Sequence, residues 1–250
     1  MNDTVARGGW TIASFAALVA VWWLVAAFAE SRVLPGPGAV LAAAVRDTAS
    51  GALPFNVGIT LARVAVSFFL AILIGGAIGV ALGRHPRADR FFDGWLILLL
   101  NLPALVVIIL CYVWFGLTEA AAILAVTLNK IPNVAVTLRE GARALSRDLD
   151  EMATVYRFSW AKRLHHVVMP QLAPFLAASA RSGLALVWKI VLVVELLGRS
   201  NGVGFQLHLY FQLFDVASIL AYAIAFIVVV QAIEILILQP WERAANRWRR

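Results

Sequence analysis

Apolar residues gather into long runs along this chain, and the stretches between them collect arginine, proline and glycine. A helix needs about 20 such residues to cross a hydrocarbon core about 30 Å thick. The pattern predicts an all-α membrane protein of about six transmembrane helices, at approximately 10–28, 56–82, 95–114, 119–138, 182–197 and 216–238. Short apolar clusters at helical spacing between the fourth and fifth runs predict a pair of amphipathic helices at about 149–168. Little sequence is left for anything else, so residues 1–250 are expected to form one membrane domain.

The detail of each run adds to this outline. Ala27-Phe28-Ala29 before Glu30 has the look of a signal-peptidase site, but the run exceeds a signal h-region of about 7–15 residues, so an uncleaved helix is expected. Leu34-Pro35-Gly36-Pro37-Gly38 breaks helix, and 39–49, with Arg46 and Asp47, reads as a short helix at the membrane surface. The second run carries Gly75, Gly79 and Gly83 at steps of four. They lie on one face, where a neighbouring backbone can approach closely, within one subunit or between two. Asn101 and Pro103 interrupt the third run and predict a kink, structural or pore-shaping. The fourth holds Lys130 and Pro132, a Gly-containing connection runs from Gly198 to Asp215, and the tail Trp241–Arg250 is basic and aromatic.

Composition agrees with a bilayer as solvent. The chain is 62% hydrophobic and 14% charged, with mean hydropathy +0.85, too apolar for a solvated surface. Its net charge of +7 lies in short loops rather than on one soluble face, which argues against nucleic acid as a partner. With the N-terminus inside, Arg7, Arg84, Arg87, Arg90, Arg139, Arg143, Arg147, Arg157, Lys162, Arg163, Arg181, Arg243, Arg247, Arg249 and Arg250 all face the cytoplasm, leaving Arg32, Arg46 and Arg199 outside. The excess of cytoplasmic cations predicts N-in and C-in topology. A single cysteine, Cys111, within an apolar run excludes an intrachain disulfide and reads as a packing residue.

The largest cytoplasmic segment, Glu151 to Pro170, holds Met152, Val155 and Tyr156 at helical spacing, then Phe158-Ser159, then Leu164, Val167 and Val168. Ser159 suits the N-cap of a second helix. Two amphipathic helices rich in Arg, Lys and His fit either docking to a soluble partner or lying on anionic lipid.

This segment resembles the EAA loop of type I ABC importer permeases, whose pattern is Glu-Ala-Ala, three residues, Gly, nine residues, Ile, one residue, Leu-Pro. Glu151, Ala153 and Pro170 match; Met152, Val167 and Met169 replace apolar positions conservatively; Arg157 stands where the pattern has glycine. Leu34-Pro35-Gly36-Pro37, Trp114-Phe115-Gly116-Leu117, Trp188-Lys189 and Glu195-Leu196-Leu197-Gly198 resemble the branch that imports taurine, aliphatic sulfonates, nitrate and similar solutes. The resemblance covers about residues 10–240.

It implies a permease subunit of an ATP-driven importer in a bacterial inner membrane, paired with a second copy as a homodimer. Two ATPase subunits would lie below, and an extracytoplasmic binding protein would deliver a small, anionic solute. Glu151, Met152, Ala153, Val155, Tyr156, Arg157, Ser159, Leu164 and Pro170 would then dock the ATPase. Asn101, Lys189 and Glu195 would line the path. No Gly-x4-Gly-Lys-Ser/Thr occurs, so ATP and Mg are expected on the partner, with no cofactor, metal or catalytic residue on this chain.

Charges inside spans are costly and often functional. Glu195 and Arg199 are one turn apart and read as an i,i+4 pair or as a gate. Lys189 lies shallow enough to snorkel, or lines an anion path. Arg63, near the outer end of a long helix, reads equally as a functional charge or as interfacial, and Lys130 has no partner in sequence. His85, His165, His166 and His208 fall in loops or at helix ends, which disfavours haem within the membrane. The alternative is a secondary transporter driven by an ion gradient, which would be expected to show two related halves and buried carboxylates.

Overall fold

The computed structural model describes residues 2–29 and 33–241, and every regular element among them is helical. Glu30, Arg32 and the basic tail with Arg243, Arg247, Arg249 and Arg250 lie outside the described residues.

Helix α1 (Asn2–Ala29) exposes Phe15, Leu18, Trp23 and Phe28, as a helix solvated by lipid would. Its Trp22 donates from Nε1 to the Pro35 carbonyl at 3.1 Å, tying down the Pro/Gly break. Helix α2 (Pro37–Ala49) starts on Pro37, where a missing N–H has no intrahelical partner to lose.

Three long helices form the centre: α3 (Ala52–Arg84), α6 (Glu119–Arg143) and α9 (Met169–Gly198). Their close approach comes from the glycine stripe. A Cβ at Gly75 would lie 2.8 Å from the Ile131 carbonyl, one at Gly83 would lie 2.6 Å from the Arg139 carbonyl, and one at Gly79 would run into the Ala135 backbone. The stripe therefore packs α3 on α6 inside one subunit. Val187, Val191 and Val194 of α9 and Val126 of α6 complete the buried core.

Between α3 and α6 the chain forms α4 (Pro86–Asn101) and α5 (Ala104–Phe115), which meet at 93°. The expected third span is thus two helices, not one kinked rod. Pro103 forces the preceding Leu102 to extended backbone (ψ 126°), so the helix stops there and restarts after the proline.

After α6 come α7 (Arg147–Val155) and α8 (Trp160–Arg163). The second amphipathic helix does not end before the fifth span: α8 passes through a π turn, Leu164–Val168, directly into α9. Pro170 lacks the N–H that would pair with His166, and the wider turn lies just before it. The segment expected to begin at Ser182 is therefore the later part of helix running on from Trp160. The connection Gly198 to Asp215 also contains a helix, α10 (Val203–Gln212), before α11 (Val216–Ile233), which a second π turn, Glu234–Leu238, extends.

Ala52–Arg84, Glu119–Arg143 and Val216–Trp241 are long and apolar enough to cross a membrane, and the α4–α5 pair adds a fourth if counted as one broken span. Phe69, Leu73, Ile227 and Val228 point outward from such helices. Apolar surface inside and out marks a bundle whose solvent is lipid.

Candidate functional site

Helices α3, α6 and α9 bring two polar regions to opposite ends of the bundle. At the end where α3 and α6 finish and α9 begins, α7 and α8 form a hairpin. Ser146 caps α7 by accepting from the Leu149 N–H at 3.4 Å, and Ser159 caps α8 from Lys162, as the sequence suggested. Ala153 is buried against the bundle, whereas Glu151, Met152, Val155, Tyr156, Arg157, Ser159 and Pro170 are exposed and Leu164 is half-buried. Val155 is 78% and Trp160 79% exposed. An apolar patch of this kind, rimmed by charge, is the usual mark of an interaction surface. Beside it a groove of about 440 Å³ is lined by Arg147, Asp150, Glu151, Thr154 and Val155.

An ion pair fixes the hairpin angle. Arg163 of α8 donates from Nε to Asp150 of α7 at 2.8 Å and closes the fork with a second bond from Nη2, while Arg84 at the end of α3 reaches the same carboxylate at 3.3 Å. The Arg163 bond chiefly holds the Asp150 carboxyl below the usual range. Gln171 of α9 accepts the Ser146 N–H at 2.8 Å, so the hairpin is joined to α9 at both ends. Asp150, Arg163, Arg84 and Gln171 were not singled out from sequence, because their partners are distant in the chain or across a turn.

Arg157, at the position where the resembled pattern has glycine, adopts φ +49°. The turn thus keeps a left-handed residue without its usual glycine. The Phe158 N–H donates to the Ala153 carbonyl at 2.9 Å, closing a helix end of the kind a left-handed residue permits. An arginine in that conformation costs about 1–2 kcal/mol relative to an unstrained one.

At the other end of the bundle lies a buried clasp. Glu195 is fully enclosed (0% exposed). It accepts from Arg63 Nη1 at 2.7 Å, from Thr60 at 2.9 Å and from the Gly204 N–H at 2.8 Å. Arg63 also forks onto Glu119 at 2.6 and 2.8 Å and donates to the Asn201 carbonyl at 2.9 Å. Asn56 accepts the Gly202 N–H at 2.7 Å. Gly202 is required: its φ is +103°, and a Cβ there would meet the Glu195 carboxylate. Tyr112 on α5 donates to the Val194 carbonyl at 2.8 Å.

These contacts revise two expectations. Glu195 pairs with Arg63 of α3 rather than with Arg199, which instead reaches Glu119 at 2.9 Å and the Leu117 carbonyl. Arg63 is buried, not interfacial. The i,i+4 spacing misled because three helices and the α10 loop converge there. The signal that could have exposed the clasp is Asn201-Gly202-Val203-Gly204, a turn with two glycines six residues after an acid in an apolar run. Of the residues expected on a path, Lys189 is exposed on α9, and Asn101 is exposed with its amide donating to the Ile97 carbonyl at 2.7 Å. Glu195 is enclosed in the clasp, whereas the other two are exposed.

Comparison with known proteins places this geometry in context. Residues 67–239 match the model of the family described as binding-protein-dependent transport system inner membrane component. The chain is 28% identical over 236 residues to a putative aliphatic sulfonates transport permease protein of Bacillus subtilis, covering 94% of this chain and 85% of that one. It is 27% identical over 205 residues to a taurine transport system permease protein of Escherichia coli, covering 79% and 74%. The inward-facing MetNI methionine ABC transporter shares the fold, with TM-score 0.65, 19% identity, and coverage of 77% of this chain and 95% of that one.

Proposed function

The chain belongs to the family of binding-protein-dependent transport system inner membrane components, and on that premise we propose how its two ends divide the work of a permease. It is an ABC transporter permease subunit; the ion-gradient alternative is not favoured by the family or its relatives. In our reading, the chain spans a bacterial inner membrane six times with both termini inside. A second copy completes the core, an extracytoplasmic binding protein delivers solute, and a separate ATPase binds ATP and Mg.

The observation that carries the ATPase assignment is the exposed patch of Val155, Tyr156 and Trp160 on a hairpin continuous with α9. Since α8 runs into α9 without a break in helix, a push on α8 is delivered to the bundle as a rigid-body movement. Glu151, Met152, Arg157, Ser159 and Pro170 are exposed with the patch, while Ala153 is buried and Leu164 half-buried. The relatives' names, aliphatic sulfonates and taurine, support a small sulfonate-like anion as the solute. Lys189, exposed on α9, and Asn101 remain candidates for its path.

The test is uptake by vesicles containing the chain with its ATPase and binding protein. ATP-dependent uptake of a sulfonate, insensitive to collapse of proton and sodium gradients, is expected. Uptake by the chain alone that follows either gradient would overturn the proposal.

A further inference from the structure

Two non-glycine residues among those described hold left-handed backbone, Arg157 (φ +49°) and Phe214 (φ +56°). They close the same kind of turn at opposite ends of the bundle. At the hairpin, the Arg157 N–H donates to Thr154 and the Phe158 N–H to Ala153. Beyond the clasp, the Phe214 N–H donates to the Phe211 carbonyl at 3.1 Å and the Asp215 N–H to the Tyr210 carbonyl at 2.9 Å. Glycine is the usual residue at such a helix end. A bulky side chain there is strained, and strain that the surroundings hold in place points to function.

The Phe214 turn is held from behind. Asp215 accepts from the Ser218 N–H at 3.1 Å and from its hydroxyl at 2.7 Å, Ser218 accepts from Arg46 of α2 at 2.9 Å, and Arg46 donates to Asp47 at 2.8 Å. The Tyr210 hydroxyl closes the circuit by donating to Asp47 at 3.0 Å. What this network presents outward is apolar. Phe214 is 84% exposed, and Phe211 and Leu213 are exposed beside it. Arg46, whose side chain is 59% exposed, places a cation at the rim.

The height of the turn limits what can cover it. Helix α10 starts in the clasp, where the Val203 N–H donates to Thr60 at 2.9 Å, and its ten residues carry the chain about 15 Å to the turn. The run Val216–Trp241 begins just past the turn and is about 39 Å long, against hydrocarbon about 30 Å thick. The turn therefore stands at the edge of the hydrocarbon or beyond it, on the face away from the hairpin. A lipid interface favours Trp and Tyr. Here two Phe and a Leu are offered, while the turn's tyrosine directs its hydroxyl to a buried aspartate. Phe and Arg are residues enriched where one protein meets another.

We propose that Phe211, Leu213 and Phe214, with Arg46 at their rim, receive the solute-binding protein, which meets them with an apolar recess edged by acidic side chains. The proposal rests on the permease reading, in which the family depends on a binding protein and the ATPase takes the hairpin end. It places that partner on a defined turn of this chain.

The test uses the full complex of chain and ATPase in nanodiscs, with the solute-loaded binding protein of the same system as probe. Phe211→Ser/Phe214→Ser should weaken its binding about thirtyfold, the loss expected of an interface hot spot. Phe214→Gly separates contact from structure: it relieves the left-handed backbone, so the chain should melt no lower than wild type while binding falls about tenfold. Arg46→Gln should slow association several-fold at low salt, as a rim charge does. Cys111 is the chain's single cysteine, so in a Cys111→Ala background Gln212→Cys reports on the turn alone. Its thiol should react readily with a charged methanethiosulfonate, and about tenfold more slowly with binding protein at nine times its dissociation constant.

Binding within twofold of wild type in both phenylalanine variants, or a Gln212→Cys thiol equally reactive with and without binding protein, would overturn the surface. A thiol already unreactive without binding protein would mean that lipid or a second copy covers the turn, and overturns it as well. Association unmoved by Arg46→Gln would overturn the acidic edge. Should the Gln212→Cys complex not assemble, the affinities of the phenylalanine variants decide. A wild-type complex that assembles with no ATPase or takes up no binding protein counts against the permease reading; one that binds its partner, and binds it equally through the altered turn, counts against this surface alone.

Discussion

At one end of α3, α6 and α9, Glu195 is enclosed and every oxygen it presents is met by Arg63, Thr60 or the Gly204 N–H. At the other end, Asp150 and Arg163 join α7 to α8 in partial contact with water, and Val155, Tyr156 and Trp160 are left uncovered. The same helices therefore terminate once in a closed polar network and once in an open apolar patch. The closed end fixes how the helices sit on each other. The open end leaves apolar side chains uncovered, as an interaction surface does. This difference sorts substitutions into those that cost fold and those that cost association.

The largest effect is expected from Glu195→Ala, which takes the shared acceptor from Arg63 Nη1, Thr60 and the Gly204 N–H at once while Arg63 keeps Glu119, and should cost about 2–4 kcal/mol. Thermal unfolding of the purified chain in detergent measures it, and a loss below about 1 kcal/mol would mean the clasp does not hold the helices. Gly79→Ala comes next. Its Cβ would run into the Ala135 backbone, so α3 must move off α6 at about 1–3 kcal/mol, read by the same melt.

Arg157→Gly should act in the opposite sense. Relief of the left-handed arginine should stabilise the hairpin by about 1 kcal/mol, visible as slower amide exchange at Phe158. A destabilised hairpin would show that the arginine side chain, not the backbone, governs the turn. Smallest is the loss of the half-exposed Asp150–Arg163 pair, worth less than about 1 kcal/mol. Because Asp150 is depressed in the folded state, its contribution is present above the ordinary carboxylate value of about 3.9 and disappears as pH falls through its lower folded value. Amide exchange in α7 followed against pH, with Asp150→Asn as control, checks that sign.

Much of this was legible in the sequence where the signal is local. The glycines at steps of four lie on one face of α3, and Ser159 begins a helix. Glu151, Ala153 and Pro170 carried the family resemblance. What escaped depends on distance in the chain. Glu195 and Arg199 looked like partners because they are one turn apart, yet a residue 132 positions away, Arg63, takes the carboxylate. The run 95–114 was expected to kink at Asn101 and Pro103 but to remain one span, because hydropathy does not register that Pro103 forces Leu102 out of helix, turning the chain by 93°. The separation of the coupling helices at 149–168 from a fifth span beginning at 182 failed for a related reason: a π turn carries the helix past Pro170. Helix α10 was hidden by the glycines of its own N-terminal turn.

The comparison between the two ends is tested most directly by a triple change at the open one, Val155→Ala/Tyr156→Ala/Trp160→Ala. These side chains are exposed, so the chain should melt as wild type does, while its ATPase no longer co-purifies in stoichiometric amount and ATP hydrolysis is no longer coupled to solute uptake. A variant that folds normally and still retains its ATPase with coupled hydrolysis would contradict the assignment of the hairpin as the surface through which ATP drives this permease.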